Sequence, residues 1–176
     1  EDEDKLEEVE EVAEEVEEAE RGEDLELVIE DEYVSTKAIE EMIAPVEGKL
    51  GSAFTTDNLI YSETLEEWTS HKGIDILANE GTDVRATLSG KITEVYKDDL
   101  WGIVILIDHG DGLMTKYANL STEEMIKEGA KVNRGDVISK IGKSASIELM
   151  MEPHIHFEVI KDGISVDPRN YIPVLK

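Results

Sequence analysis

Two kinds of hydrophobic pattern divide the chain near residue 44. In residues 1–20, apolar side chains recur every three or four positions among Glu and Asp, which predicts an amphipathic helix. From Val46 onward, short apolar runs alternate with turns rich in Gly and Asp, which is typical of strands. Ala44-Pro45 lies between the two patterns, and proline interrupts regular structure. The sequence therefore predicts an N-terminal segment, residues 1–43, and a β domain, residues 44–176.

The N-terminal segment carries most of the negative charge. The chain has a net charge of -26, and residues 1–50 contain 22 acidic and 4 basic side chains. Because like charges four residues apart destabilise a helix, residues 1–20 predict either a marginal, solvated or disordered arm or a helix that docks on a partner. Residues 25–29 alternate and predict a strand, whereas residues 35–43 are compatible with helix or strand. Such an acidic chain is not expected to bind nucleic acid or anionic lipid.

The β domain is expected to be a mainly antiparallel sandwich or barrel-like fold. Residues 121–128 are the exception, since a Ser or Thr N-cap followed by acidic residues predicts a short helix there. The predicted strands cover residues 84–87, 91–95, 102–107, 113–117, 137–141, 154–160 and 164–166.

Composition narrows the possible sites. The chain has no cysteine, so a metal site must use His, Asp or Glu. No run of about 18 apolar residues is present to span a membrane. The chain begins with Glu, and we expect it to be a fragment or processed form that lacks any membrane anchor.

One predicted strand carries two histidines on the same face. In a strand, His154, His156 and Glu158 point one way, and the opposite face is apolar, with Ile155, Phe157 and Val159. Two imidazoles two residues apart can reach one metal ion. Taken alone, such a pair is equally compatible with ordinary surface or core-edge histidines.

A second pair lies far upstream, where His71 and Asp75 are four residues apart with Gly73 between them. An extended strand or a bulged turn through Gly73 would bring both side chains to one side. Together with His156 they would form a set of two histidines and one carboxylate, which binds Zn²⁺ and leaves a fourth position for water. His154 would then lie beside the metal ion without binding it.

The order of several motifs resembles the lysostaphin/LytM-type zinc peptidase domain over about residues 45–173. The matching segments are His71–Ile76, Gly81–Ala86, Gly90–Ile92, Tyr117–Leu120, Val132–Asp136, Ile141-Gly142, Pro153–Val159, Asp167-Pro168 and Tyr171-Ile172. The resemblance implies an antiparallel β domain with a groove over one zinc ion, and active members cut peptide cross-bridges of peptidoglycan. It implies His71, Asp75 and His156 as zinc ligands and His154 as a catalytic residue.

Two positions depart from that family. Asn119 stands where the family has its second catalytic histidine, and asparagine cannot transfer a proton near neutral pH. Glu152 stands where active relatives usually have Gly, and its carboxylate would perturb substrate entry or bind the metal. We therefore expect one zinc ion per chain, in a structural role, with little or no peptidase activity. Mn²⁺ and Fe²⁺ also suit this donor set, although the affinity order favours Zn²⁺.

Three features resemble the family members that act in sporulation. They are the segment Thr64–His71, the variant motif Tyr117–Leu120 and the acidic N-terminal segment. That implies an ectodomain anchored in the forespore membrane, with the acidic segment as its stalk. It would pair with a ring-forming mother-cell membrane protein in an intercellular channel needed for engulfment and forespore development. The alternatives are an active endopeptidase on peptidoglycan, or a module that binds wall peptide without cutting it.

The partner surface is expected at an exposed strand edge. Trp68 and Trp101 are candidate anchors there, because aromatic side chains dominate interface hot spots. Packing of either tryptophan against the core is the alternative.

Overall fold

A computed structural model describes residues 25–30, 33–38 and 41–175 of the chain. The chain divides into two compact units, Glu1–Glu40 and Glu41–Lys176.

In the first unit, strand β1 (Leu25–Glu30) pairs with strand β2 (Tyr33–Ala38) in an antiparallel hairpin. The predicted strand at residues 25–29 is confirmed. The next segment, which was compatible with helix or strand, is a strand as far as Ala38. The helix predicted in residues 1–20 lies outside the described residues.

The second unit is built from short strands. They are β3 (Lys49–Leu50), β4 (Thr55–Ser62), β5 (Glu67–His71), β6 (Ile74–Leu77), β7 (Asp83–Arg85), β8 (Gly90–Asp98), β9 (Gly102–Gly110), β10 (Leu113–Leu120), β11 (Lys131–Val132), β12 (Val137–Lys140), β13 (His154–Lys161) and β14 (Ile164–Val166). Short 3-10 helices cover Ser146–Glu148, Pro168–Asn170 and Pro173–Leu175.

Eight of these strands form the main sheet, in the order β11-β8-β9-β10-β13-β6-β3, with β14 also paired to β13. Two small sheets, β12–β7 and β4–β5, complete the unit. The strand pairs in the described part of the chain are antiparallel. The predicted mainly antiparallel β fold is therefore confirmed.

Strand β13 joins the core to the candidate site. It pairs with β10 along one edge, and with β6 and then β14 along the other. Its apolar side chains, Ile155, Phe157 and Val159, are fully buried, and burial of each such side chain contributes about 1.5–3 kcal/mol. Its polar side chains, His154, His156 and Glu158, are also buried, on the opposite face. Because the polar face is covered, its groups must pair with one another or bind a cation.

The helix predicted at residues 121–128 is wrong: this segment forms turns. None of its side chains is buried, so a helix here would lack the packing that stabilises short helices. The Thr122 hydroxyl instead accepts a hydrogen bond from the Glu124 amide, which is a local alternative to helical bonding. After the turns, the chain returns to β8, where the Gly129 amide donates to the Ile92 carbonyl.

Candidate metal centre

Three strands bring together the residues predicted to bind metal. His71 is the last residue of β5, Asp75 lies in β6, and His156 lies opposite Asp75 in the β13–β6 register. Between the first two, Gly73 passes so close to β13 that an added Cβ would lie 2.4 Å from the Phe157 carbonyl oxygen. Only glycine allows this approach, which turns His71 and Asp75 toward the same point.

The three side chains form a small triangle of polar atoms. His71 Nε2 lies 3.1 Å from His156 Nδ1 and 3.2 Å from Asp75 Oδ1, and His156 Nδ1 lies 3.0 Å from Asp75 Oδ1. Two zinc bonds of about 2.0–2.1 Å at a tetrahedral centre would separate their ligand atoms by about 3.3 Å. The triangle therefore fits a zinc ion with little adjustment.

The remaining nitrogen atoms of the two rings indicate which atoms face the centre. His71 Nδ1 lies 3.0 Å from the Ala53 carbonyl oxygen, which can only accept a hydrogen bond. His156 Nε2 lies 3.3 Å from Glu158 Oε1, which also accepts the Lys116 ammonium at 2.7 Å. Neutral rings with these outer bonds present lone pairs at His71 Nε2 and His156 Nδ1. Two lone pairs and a carboxylate oxygen facing one point are the donor set of a cation site.

Even without metal, the carboxylates around the cluster favour a positive charge on His156. Burial lowers the pKa of His156, but hydrogen bonds to Asp75 and Glu158, and the nearby carboxylates, outweigh burial and raise it to about 9. Burial raises the pKa of Asp75, yet its bonds to His156 and His71 hold it well below its usual range. The pKa of Glu158 falls to about 2, since His156 and Lys116 outweigh burial. The metal-free cluster therefore holds a proton that a dication would replace.

A fourth group, Glu148, was missed by sequence reasoning. It ends the 3-10 helix Ser146–Glu148, and its side chain is only 9% exposed. Its ligand atom lies within 4.8 Å of those of His71, Asp75 and His156. The stretch around it has no clear periodicity, so no sequence signal pointed to this residue. The carboxylate expected near the metal was that of Glu152, which is exposed and is not one of the four clustered residues.

His154 lies beside the cluster and is held by Glu148. Its Nδ1 lies 2.7 Å from the Glu152 carbonyl oxygen, and its Nε2 lies 3.0 Å from Glu148 Oε2. Both partners can accept hydrogen bonds, and this favours protons on both ring nitrogens. Burial lowers the pKa of His154, but the bonds to Glu148 and to the Glu152 carbonyl outweigh burial and raise it. A protonated ring cannot act as a general base.

Asn119 packs against His154 with both ends of its amide occupied. Its Nδ2 donates to the His154 carbonyl oxygen at 3.1 Å, and its Oδ1 accepts from the Ala145 amide at 3.0 Å. Its φ of 61° lies in the left-handed region, at an irregularity in the pairing of β10 with β9. Asparagine adopts this conformation more readily than most residues. Asn119 therefore has a structural role at this position.

The fourth histidine of the chain and the two candidate tryptophans lie at different depths. His109 contacts Ser89 and Thr115 and is not one of the clustered residues. The half-buried Trp101 covers His156, with ring centroids 4.2 Å apart, so it is part of the site. Trp68 is 65% exposed and contacts Tyr61 edge-on.

A groove of about 750 Å³ runs over the cluster. Its walls come from the β4–β5 hairpin and from the segment that contains Glu148, and Trp101 and Lys116 also line it. The groove is large enough for a short peptide. Within the described residues, no helix has the length and apolar character to cross a membrane.

Comparison with known proteins gives consistent matches. Residues 69–168 match the model of peptidase family M23. Stage II sporulation protein Q of Bacillus subtilis (strain 168) is 38% identical over 148 residues, which cover 82% of this chain and 49% of that protein. The chain thus spans about half the length of this relative.

Solved structures give the same result. The SpoIIQ-SpoIIIAH pore forming complex contains a chain that is 31% identical, with a TM-score of 0.64, covering 77% of this chain and 92% of that one. A zinc containing peptidase from Vibrio cholerae is 26% identical, with a TM-score of 0.63, covering 73% and 39%. These matches confirm the predicted resemblance to the LytM-type domain and to its sporulation members. The ligand set remains a prediction.

Proposed function

This chain belongs to peptidase family M23, and we propose that it is a catalytically degenerate, zinc-binding member that serves as an interaction module in sporulation. One observation carries the catalytic part of this proposal. At the position of the family's second catalytic histidine, the Asn119 amide is bonded to the His154 carbonyl and the Ala145 amide. This amide neither releases nor takes up a proton near neutral pH, and its oxygen and one N–H are already bonded.

The zinc part of the proposal rests on His71, Asp75 and His156, whose atoms face one point at 3.0–3.2 Å from each other. A bound zinc ion would supply a Lewis acid and would tie β5, β6 and β13 together. The Ala53 carbonyl and Glu158 orient the two rings toward it. His154 is a remnant of the peptidase site, and its bond to Glu148 favours the protonated ring over a general base.

The partner we propose is a protein like stage III sporulation protein AH. Support comes from the complexes of similar SpoIIQ chains with SpoIIIAH. We further propose that the chain is anchored in the forespore membrane and faces the space between forespore and mother cell. There it would contribute to the channel complex needed for engulfment and forespore development.

Metal analysis of protein purified without added metal tests the zinc site. We expect one zinc ion per chain in the wild type and none in His71→Ala. The matched control is His109→Ala, which removes a part-buried histidine outside the cluster and should keep its zinc. Zinc retained by His71→Ala would contradict the ligand assignment.

Incubation with purified peptidoglycan, with and without a chelator, tests the catalytic part. The proposal expects no chelator-sensitive release of muropeptides by the wild type. Such release would instead support the alternative, an active zinc endopeptidase. Sedimentation of the uncut wall with the protein would identify a module that binds wall peptide.

A further inference from the structure

The two oxygen atoms of Glu148 have different neighbours. Oε1 lies 3.6 Å from His156 Nδ1, on the side of the metal cluster, and Oε2 lies 3.0 Å from His154 Nε2. The carboxylate thus stands between the predicted metal ligands and the predicted catalytic histidine. It occupies the region between the cluster and His154, where a metal-bound water would have to lie to reach His154.

The donor count of the cluster changes when Glu148 is included. His71 and His156 supply two neutral nitrogen atoms, and Asp75 and Glu148 supply two anionic oxygen atoms. Four protein ligands fill the tetrahedral shell of structural zinc sites, whereas catalytic sites keep three and leave one position for water. Two carboxylates also neutralise the charge of a dication in a buried site.

The backbone holds Glu148 in this position. The Ile147 amide donates to the Leu100 carbonyl, and the Ser146 hydroxyl donates to the Asp99 carbonyl. The Ala145 amide donates to Asn119 Oδ1, so the residue that replaces the family's histidine also anchors the segment that delivers Glu148. An imidazole could accept this bond only through an unprotonated ring nitrogen, which lies at a different place on the side chain from the amide oxygen. Asn119 and Glu148 therefore act as one arrangement.

We propose that Glu148 is a fourth protein ligand, which closes the zinc coordination shell that a peptidase of this type leaves open. This inference rests on the proposed zinc site. It assigns a closed, structural site to His71, Asp75, His156 and Glu148. It also assigns to Asn119 the role of positioning the Glu148 segment.

The test replaces zinc with Co²⁺, whose visible spectrum reports its ligands, and adds azide as a small competing ligand. Wild type and Glu148→Ala are compared, together with the isosteric Glu148→Gln in case the alanine variant folds poorly. We expect the wild-type spectrum to stay unchanged at azide concentrations that saturate the Glu148 variants. We also expect zinc affinity to fall at least about tenfold in these variants, the lower limit for loss of even an outer-shell partner.

The matched control is Glu152→Ala, which removes one exposed carboxylate four residues away and should behave as wild type. Wild-type protein that binds azide as readily as Glu148→Ala would overturn the closed shell and leave the zinc site intact. Wild-type protein that takes up neither Co²⁺ nor Zn²⁺ would overturn the zinc site itself, and the fourth ligand with it.

Discussion

The two halves of the candidate site have different chemistry. In one half, His71, Asp75 and His156 present acceptor atoms 3.0–3.2 Å apart, which suits a dication. In the other half, Asn119 and His154 have their polar atoms paired with Glu148 or with backbone groups. Under the proposed function, the comparison teaches that metal binding and proton transfer are separable in this fold. One can be kept as a structural element while the other is replaced by structural hydrogen bonds.

The largest expected effect comes from restoring proton-transfer groups to the half of the site that contains Asn119 and His154. The double variant Asn119→His with Glu148→Ala supplies a second imidazole and frees both His154 and the fourth metal position. We expect zinc-dependent muropeptide release at least about 100-fold above wild type, the lower end of what a general acid–base group supplies. Histidine also tolerates the left-handed backbone at residue 119.

The single variant Asn119→His should remain inactive, because the bonds to the Leu100 and Asp99 carbonyls still hold the Glu148 segment beside His154. The charge-matched control, Asn119→His with Glu152→Ala, should also be inactive. Activity of the single variant equal to that of the double variant would show that Glu148 does not limit catalysis. An inactive double variant that retains one zinc ion would show that proton transfer is not the missing function.

The pH dependence of the free energy of unfolding tests the half of the site that is predicted to bind metal. In chelator, the raised pKa of His156 contributes stability that is complete below about pH 6.5 and is lost as the pH rises through about 9. The loss is about 3 kcal/mol of unfolding free energy. With zinc the dependence reverses, because zinc needs an unprotonated His156 and is released as the pH falls.

Denaturant unfolding between pH 6 and pH 10 measures how the free energy of unfolding changes with pH. It is carried out once with chelator and once with zinc. His156→Gln should make the chelator curve less steep over this range, and the raised pKa of His154 accounts for the slope that remains. A wild-type curve in chelator that rises toward pH 9 would contradict the charge balance of the cluster.

The smallest expected effect lies on the β4–β5 hairpin, where Trp68 is 65% exposed. If this side chain anchors the partner, Trp68→Ala should weaken binding to the stage III sporulation protein AH ectodomain of the same organism at least about tenfold. Stability should change by about 0.5 kcal/mol or less, as is usual for surface positions. Calorimetric titration and thermal unfolding measure the two quantities.

The control for this variant is Val174→Ala, which changes an exposed apolar residue in the last 3-10 turn and not on the β4–β5 hairpin. It should bind the partner as wild type does. If wild type, Trp68→Ala and Val174→Ala bind the partner with equal affinity, Trp68 is not part of the interface and the partner binds elsewhere.

The parts of the site that lie on strands could be predicted from the sequence. Alternation along β13 places His154 and His156 on one face because a strand repeats every two residues, and the structure shows both on the polar face. The pair His71 and Asp75 flanks a glycine whose close approach to β13 explains their spacing.

The parts on irregular segments could not be predicted in the same way. Glu148 lies on a single 3-10 turn, where position depends on contacts with Leu100, Asp99 and Asn119 that are distant in sequence. For the same reason the sequence pointed to Glu152, adjacent to the histidine strand, and not to Glu148. The turns at residues 121–128 carry helical capping signals, but they bury no side chain that would stabilise a helix.

The position of β13 in the sheet has a consequence for synthesis of the protein. His71 and Asp75 precede His156 by 85 and 81 residues, and β6 lies in the sheet between β3 and β13. Until the last strands emerge, β6 lacks its main neighbour, and such long-range pairing is slow to form. At the proposed site, zinc could be captured only after this pairing, so metal uptake would mark a finished domain and distinguish it from a truncated or half-folded one.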